Sequence, residues 1–281
     1  EMRALRGAEI SMIFQDPMTA LNPVYHIGSQ ISEGLQYHSK STLAQLKQTS
    51  IDLLRQMGIP LAEQRVDDYP HQFSGGMRQR AMIAMAMSCK PKILIADEPT
   101  TALDVTIQAQ IFELIDELKQ RHNTAVILIT HDIGIVAELA DHVAVMNQGR
   151  IEQWDTAYNI YHKPDGRFVA DFIGEGDFLA CKVASDTCVE SPIGHLCSDR
   201  PHGFSAGQQA EVFIRPDDVL HLDDSAITGR IVSKRFRGTH FLYRVLVAGN
   251  QTLSCFADSH HNHEIGEEIG IKLSLDHLML F

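Results

Sequence analysis

Ile93-Leu94-Ile95-Ala96-Asp97-Glu98-Pro99-Thr100 is a short apolar run closed by two carboxylates and a proline. Lys92 to Ala96 carries apolar residues on both faces, as a central strand of a parallel sheet does. Asp97 and Glu98 then stand at its carboxyl edge, where ligands bind in α/β sheets. Upstream, Phe73-Ser74-Gly75-Gly76-Met77-Arg78-Gln79-Arg80 opens a helix. Ser74 is its N-cap, and an Ala- and Met-rich body to about Ser88 predicts a buried helix that Pro91 ends. Downstream, Ile107, Ile111, Leu114, Ile115 and Leu118 fall on one stripe of a predicted helix over Thr106 to Arg121. A second buried strand, Ala125 to Ile129, follows, then a helix near Ile133 to Ala140. Helix alternating with buried strand is the mark of a parallel α/β sheet.

Further out, Ile10 to Phe14 reads as another strand, stopped by Gln15-Asp16-Pro17. Leu21 to Tyr69 has helical texture without strong strands. After His142 the pattern changes. Val143 to Met146 and Arg150 to Trp154 flank a turn at Asn147-Gln148-Gly149, a hairpin pattern. Short helices are expected over Thr156 to Tyr161 and Arg167 to Ile173. From Asp177 onward there are only strands and turns: Val212 to Ile214, Ile227 to Val232, Phe241 to Val247, Thr252 to Phe256 and Ile269 to Leu273. That spacing predicts a small β-barrel of the OB type.

Bulk properties narrow the functions. With 281 residues, 44% hydrophobic and 21% charged, the chain can bury two cores. A formal charge of -12 argues against non-specific nucleic-acid binding, which needs basic surface. No apolar run reaches the length of a membrane span. The five cysteines (Cys89, Cys181, Cys188, Cys197, Cys255) show no C-x-x-C pair and read as reduced thiols. His260, His261 and His263 invite a metal reading, but a polar run after a strand reads first as an exposed loop.

Several motifs occur in a fixed order. Phe73 to Arg80 resembles the signature loop of ABC-transporter ATPases, and Ile93 to Glu98 resembles their Walker B strand. Thr101-Ala102-Leu103-Asp104 resembles the D-loop, His131-Asp132 the switch histidine, and Gln15 within Phe14 to Pro23 the Q-loop. The first half, residues 8–142, is most similar to di- and oligopeptide importer ATPases, which share Met77 in the signature loop. The resemblance implies a P-loop NTPase-type parallel sheet with a helical subdomain at about 22–90, within an ATPase domain at 1–160. It also implies ATP and Mg²⁺ as cofactors. Glu98 would polarise the attacking water and His131 would contact the γ-phosphate. Gln15 and Asp97 would hold the metal, partly through water. Ser74, Gly75, Gly76 and Asp104 would bind nucleotide across a dimer interface. Expected partners are transmembrane permease subunits, a second ATPase subunit (homo- or heterodimer) and, indirectly, a periplasmic binding protein. No nucleic acid is expected, and the place is the cytoplasmic face of the bacterial inner membrane.

The family's phosphate loop, G-x-x-x-x-G-K-[ST], does not occur in this sequence. With Glu1 first and little chain ahead of Ile10, the expectation is an N-terminally truncated ATPase domain that binds ATP poorly and does not hydrolyse it alone. The competing expectation is a non-hydrolytic partner or regulatory module that completes a composite site. Met146 to Asp155, Arg167 to Gly174 and Arg235 to Arg244 resemble ferric-iron and polyamine importer ATPases. Those carry a C-terminal regulatory barrel, the TOBE domain, expected here at 177–281 after linker helices at 161–176.

Overall fold

The computed structural model describes residues 2–101 and 103–281; Glu1 and Ala102, the second inside the D-loop motif, lie outside the described residues. The chain divides into two compact units, residues 1–133 and 134–281.

In the first unit, helix α1 (Met2–Leu5) leads into strand β1 (Ile10–Ile13) and the one-turn α2 (Pro17–Ala20), capped by Asp16. A helical block follows: α3 (Ile27–His38), α4 (Leu43–Gln56), α5 (Ala62–Arg65) and α6 (Gly75–Met87). Then come β2 (Ile93–Asp97), α7 (Val105–His122), β3 (Ala125–Ile129) and the connecting helix α8 (Ile133–Leu139). The strands form a parallel sheet in the order β1-β2-β3, with Ile13 beside Ala96 and Asp97 beside Ile129. Leu94 and Ala96 point from the sheet into a core built with Ile31, Leu54, Met82, Ile83, Ile111 and Ile115. Helix α6 is buried along most of its length, as its Ala/Met content predicts. One close approach requires glycine: a Cβ on Gly28 would come within 2.3 Å of the Val66 side chain, where α3 meets the end of α5.

Strand β3 departs from expectation. Its apolar run predicts burial on both faces, yet Ile127 and Ile129 are 52% and 46% exposed. The register explains this. Val126 and Leu128 share the face that packs against the core, whereas Ile127 lies on the opposite face with Met12 and Ile95, and β3 is an edge strand.

The second unit begins within α8, at Gly134, and continues with the hairpin β4 (Val143–Asn147) and β5 (Arg150–Asp155), turning through Gln148 and Gly149 at positive φ. Helices α9 (Ala157–His162) and α10 (Arg167–Ile173) follow. Val145 packs with Ile160 and Val169 in a small core of their own, so the hairpin and both helices belong to this unit. The division therefore falls ahead of the hairpin, close to the change of pattern after His142 and ahead of the residue 160 that the resemblance implies.

Strands β6 (Asp177–Val183), β7 (Cys188–Ser191), β8 (Gly194–Cys197) and β9 (Gln209–Ile214) come next. They are followed by β10 (Val219–His221), β11 (Ile227–Phe236), β12 (His240–Val247), β13 (Gln251–Asp258), β14 (Glu268–Leu273) and β15 (Met279–Leu280). Strands β10-β13-β12-β11-β14 close into a barrel, and β15-β9-β6-β7-β8 form a separate sheet. The barrel is thus built from Val219 to Leu273, a shorter stretch than the strand-rich region as a whole. Closure removes sheet edges, and Tyr243, Val245, Leu253 and Ile271 fill the core that barrel and sheet share.

Cysteine usage is corrected as well. Cys188 and Cys197 are joined by a disulfide, while Cys89, Cys181 and Cys255 are free. The two bonded residues face each other directly across β7 and β8, which brings their Cα atoms to 4.2 Å. Spacing along the chain could not show that pairing, because a hairpin turn supplies it.

Candidate functional site

Three parallel strands end at one edge of the first sheet and deliver three polar residues to the same point. Gln15 follows β1, Glu98 follows β2 and His131 follows β3. Since Ile13 lies beside Ala96 and Asp97 beside Ile129, these side chains become neighbours through strand register alone.

Glu98 is the hub. Its backbone sits in the left-handed region, at φ 42°, with its N–H donating to the Ile129 carbonyl at 2.9 Å. Such a conformation costs a non-glycine residue about 1–3 kcal/mol and is held only where surrounding structure enforces it. The turn lets the carboxylate collect three donors. Gln15 Nε2 donates to Oε2 at 2.9 Å, the Thr101 hydroxyl donates to the same oxygen at 2.9 Å, and His131 Nδ1 lies 3.1 Å from Oε1. These partners, His131 first and Thr101 next, hold the Glu98 carboxyl below the usual carboxylate range. An ionised carboxylate only accepts, so His131 carries its proton on Nδ1 when it makes this bond.

The hub opens onto a cleft of about 530 Å³ whose walls include Glu98, Thr100, Thr101, Gln108, His131 and Asp132. His131 is largely exposed there, at 79% of its side chain, while Glu98 is sheltered to 26%.

Asp97, the last residue of β2, is half-buried next to Glu98. The donor set suits a hard cation. With Gln15 Nε2 engaged on Glu98, its Oε1 remains for a metal, and Asp97 adds a carboxylate. All-oxygen donors of this kind are what Mg²⁺ takes.

The other expected residues sit at helix starts. Ser74 caps α6, its hydroxyl accepting from the Met77 N–H at 3.3 Å. Gly75 is exposed, and a Cβ on Gly76 would come within 3.2 Å of the Ile107 side chain on α7. The amides at this helix start and the positive end of its dipole suit an anion. Asp104 caps α7, its Oδ1 accepting from the Ile107 N–H at 2.9 Å. The structure therefore joins Gln15, Glu98 and His131 directly, while Ser74, Gly75, Gly76 and Asp104 belong to two packed helix starts. Thr101 is the hub residue that sequence reasoning missed as a site residue; a hydroxyl three residues after the strand-end glutamate is the only trace of it.

Comparison with known proteins adds the lineage. Residues 1–101 match the ABC transporter family and residues 212–281 match the TOBE domain. A dipeptide transport ATP-binding protein of Bacillus subtilis is 49% identical over 72% of this chain and 60% of its own length. Its Escherichia coli counterpart is 57% identical over 58% of this chain and 50% of its own. An oligopeptide transport ATP-binding protein of Bacillus subtilis is 55% identical over 58% of this chain and 46% of its own. The chain spans about half the length of the curated relatives it matches. Residues 1–101 are thus similar to the ABC transporter family and residues 212–281 to the TOBE domain, in a chain similar to peptide-transport ATP-binding proteins.

Proposed function

We propose that this chain works within the ATP-binding subunit of a bacterial ABC importer, at the cytoplasmic face of the inner membrane against permease subunits. The observation that carries the reading is the convergence of Gln15, Thr101 and His131 on one sheltered carboxylate, Glu98, at the carboxyl edge of three parallel strands. Glu98, kept ionised, orients and polarises a water for attack on a γ-phosphate. Its lowered pKa keeps it in the ionised form, which accepts from that water and cannot donate to it. His131, fixed by Glu98 through Nδ1, presents its other ring nitrogen to the phosphate. Gln15 and Asp97 would hold Mg²⁺, which would supply positive charge to neutralise the phosphoryl oxygens. Ser74, Gly75 and Gly76, exposed or half-buried at the start of α6, face a nucleotide held by a second ATPase subunit, with Asp104 at the same interface.

The peptide-transport relatives favour a peptide-type cargo. The ferric-iron and polyamine alternative rests on the resemblance of the second unit's segments. Cargo reaches the permease from a periplasmic binding protein. A second reading is a non-hydrolytic partner that completes a composite site through Ser74, Gly75 and Gly76 at the start of α6.

The test is ATP turnover in membranes carrying the permease subunits, this chain and a partner ATPase with an intact phosphate loop. Loss of turnover in Glu98→Gln, with ATP-dependent association retained, supports the hydrolytic reading. Turnover unchanged in Glu98→Gln but lost when Gly75 is replaced by Asp supports the non-hydrolytic partner. Turnover unaffected by either change overturns both.

A further inference from the structure

His221 on β10 and His261 and His263 in the loop after β13 come together on the barrel. One ring nitrogen from each lies within 4.8 Å of the other two. The histidine run does not form the simple exposed loop its polarity suggests. His260 and His261 are exposed, but His263 is sheltered to 20% and its partner His221 to 6% of the side chain.

Two details set this cluster apart from stacked surface histidines. First, the Nε2 atoms of His221 and His263 are buried with no hydrogen-bond partner. Asp223 Oδ1 lies 3.1 Å from His221 Nε2 but without the alignment of a hydrogen bond. A buried imidazole nitrogen left unpaired is costly unless something else fills its lone pair. Second, the cluster has its own support. Glu267 Oε1 holds His263 Nδ1 at 2.8 Å, which fixes that ring and makes Nε2 the donor atom. Carboxylate–histidine pairs of this kind orient and strengthen metal ligands. The hydroxyl of Tyr243, itself fully buried, donates to the His261 carbonyl at 2.7 Å and accepts from the His263 N–H at 3.0 Å. One barrel side chain thereby pins the loop that carries two of the three histidines.

We propose that His221, His261 and His263 form a binding site for a divalent late transition-metal ion of the zinc type, tying β10 to the loop after β13. Three neutral imidazoles suit zinc and its neighbours and do not suit Mg²⁺ or Ca²⁺. Zinc in a tetrahedral shell with bonds of about 2.0 Å needs donors about 3.3 Å apart. The rings must therefore close up, and exposed His261 is the one free to swing. Asp223, already beside His221 and 74% exposed, is placed to supply a fourth donor, or water does.

The test uses the full 281-residue chain, stripped with a chelator and titrated with Zn²⁺ by calorimetry. The expected result is saturable binding to a single site, weakened at least tenfold in His261→Ala and abolished in His221→Ala/His263→Ala. His260→Ala should bind as the parent does. Because His221 is buried, circular dichroism must show that the double variant is folded. If it is not, His261→Ala and Glu267→Gln decide, the latter expected to weaken binding about 10–100-fold. Co²⁺ substitution should give a spectrum without thiolate charge-transfer absorption. Absence of saturable binding, Zn²⁺ affinity unchanged in His261→Ala and Glu267→Gln, or a thiolate-type Co²⁺ spectrum would each overturn the proposal.

Discussion

Two histidine–glutamate pairs, one in each unit, are built with opposite sheltering. In the first unit Glu98 is the protected partner, at 26% exposure, and His131 stands in the open at 79%. In the second, His263 is protected at 20% and Glu267 is outside at 46%. The same two functional groups, at 3.1 Å and 2.8 Å, therefore end in different chemistry. Where the carboxylate is inside, its oxygens gather Gln15 and Thr101 as well, and the product is an oriented acceptor beside a cleft. Where the imidazole is inside, its second nitrogen is left facing other imidazoles, and the product is a donor for a soft-to-borderline metal. Burial of one partner, more than the pair itself, decides which atom is left to react.

The largest expected effect separates the pairs by activity. Glu98→Gln keeps the shape of the hub and removes its charge. In the proposed importer assembly it should lower ATP turnover by about 10²–10⁴-fold, while Glu267→Gln leaves turnover unchanged. Steady-state phosphate release measures both; a similar loss in the two variants would erase the distinction. Next in size, Glu267→Gln should reduce Zn²⁺ affinity about 10–100-fold and Glu98→Gln should leave it alone, measured by calorimetry.

Tyr243→Phe probes the support of the second pair. Removing the hydroxyl strands the His263 N–H and the His261 carbonyl, at a cost of about 1–3 kcal/mol in urea unfolding. Thr101→Ala removes one of three donors to the Glu98 carboxylate and should cost less, seen as a modest fall in turnover with little change in unfolding midpoint.

The smallest effect is the pH response of the two carboxyls. Both Glu98 and Glu267 are held below the usual carboxylate range, chiefly by their histidine partners. A depressed native pKa means the favourable pairing is present above the unfolded-chain value and is lost as pH falls through the native value. Carboxyl chemical shifts followed by NMR should therefore give low midpoints for both, and His131→Ala should return only Glu98 upward. An upward move of Glu267 in that variant would contradict the independence of the two pairs.

Much of the first site is legible in the sequence alone. Asp97 and Glu98 announce themselves because an apolar run must end at a sheet edge, and a lone carboxylate pair there has little structural use. Ser74 was readable as a helix cap, since a short oxygen-bearing side chain at that point satisfies free amides, whereas Asp104 entered only through the D-loop resemblance and its cap came from the structure. Thr101 was not legible, because its role depends on the left-handed backbone at Glu98, a local strain that no composition or period records. Ile127 and Ile129 misled for a related reason: apolar content fixes a strand, but not whether both of its faces are covered.

The second unit shows the limit more sharply. Its strands and turns were visible as alternation punctuated by glycine and proline, and a barrel followed from their spacing. Yet Cys188 with Cys197, and His221 with His261 and His263, are pairings between strands and loops. What the sequence determined by itself was local: periodicity, caps, strand ends and the family motifs along residues 8–142. What only the tertiary structure decided was which distant residues share a register or a rim, as in the barrel, where β10 lies beside β13 and brings His221 to a loop far along the chain. The physical reason is that periodicity reports how a segment meets its own surroundings, whereas a site is assembled by strand register and closure, which no single segment contains.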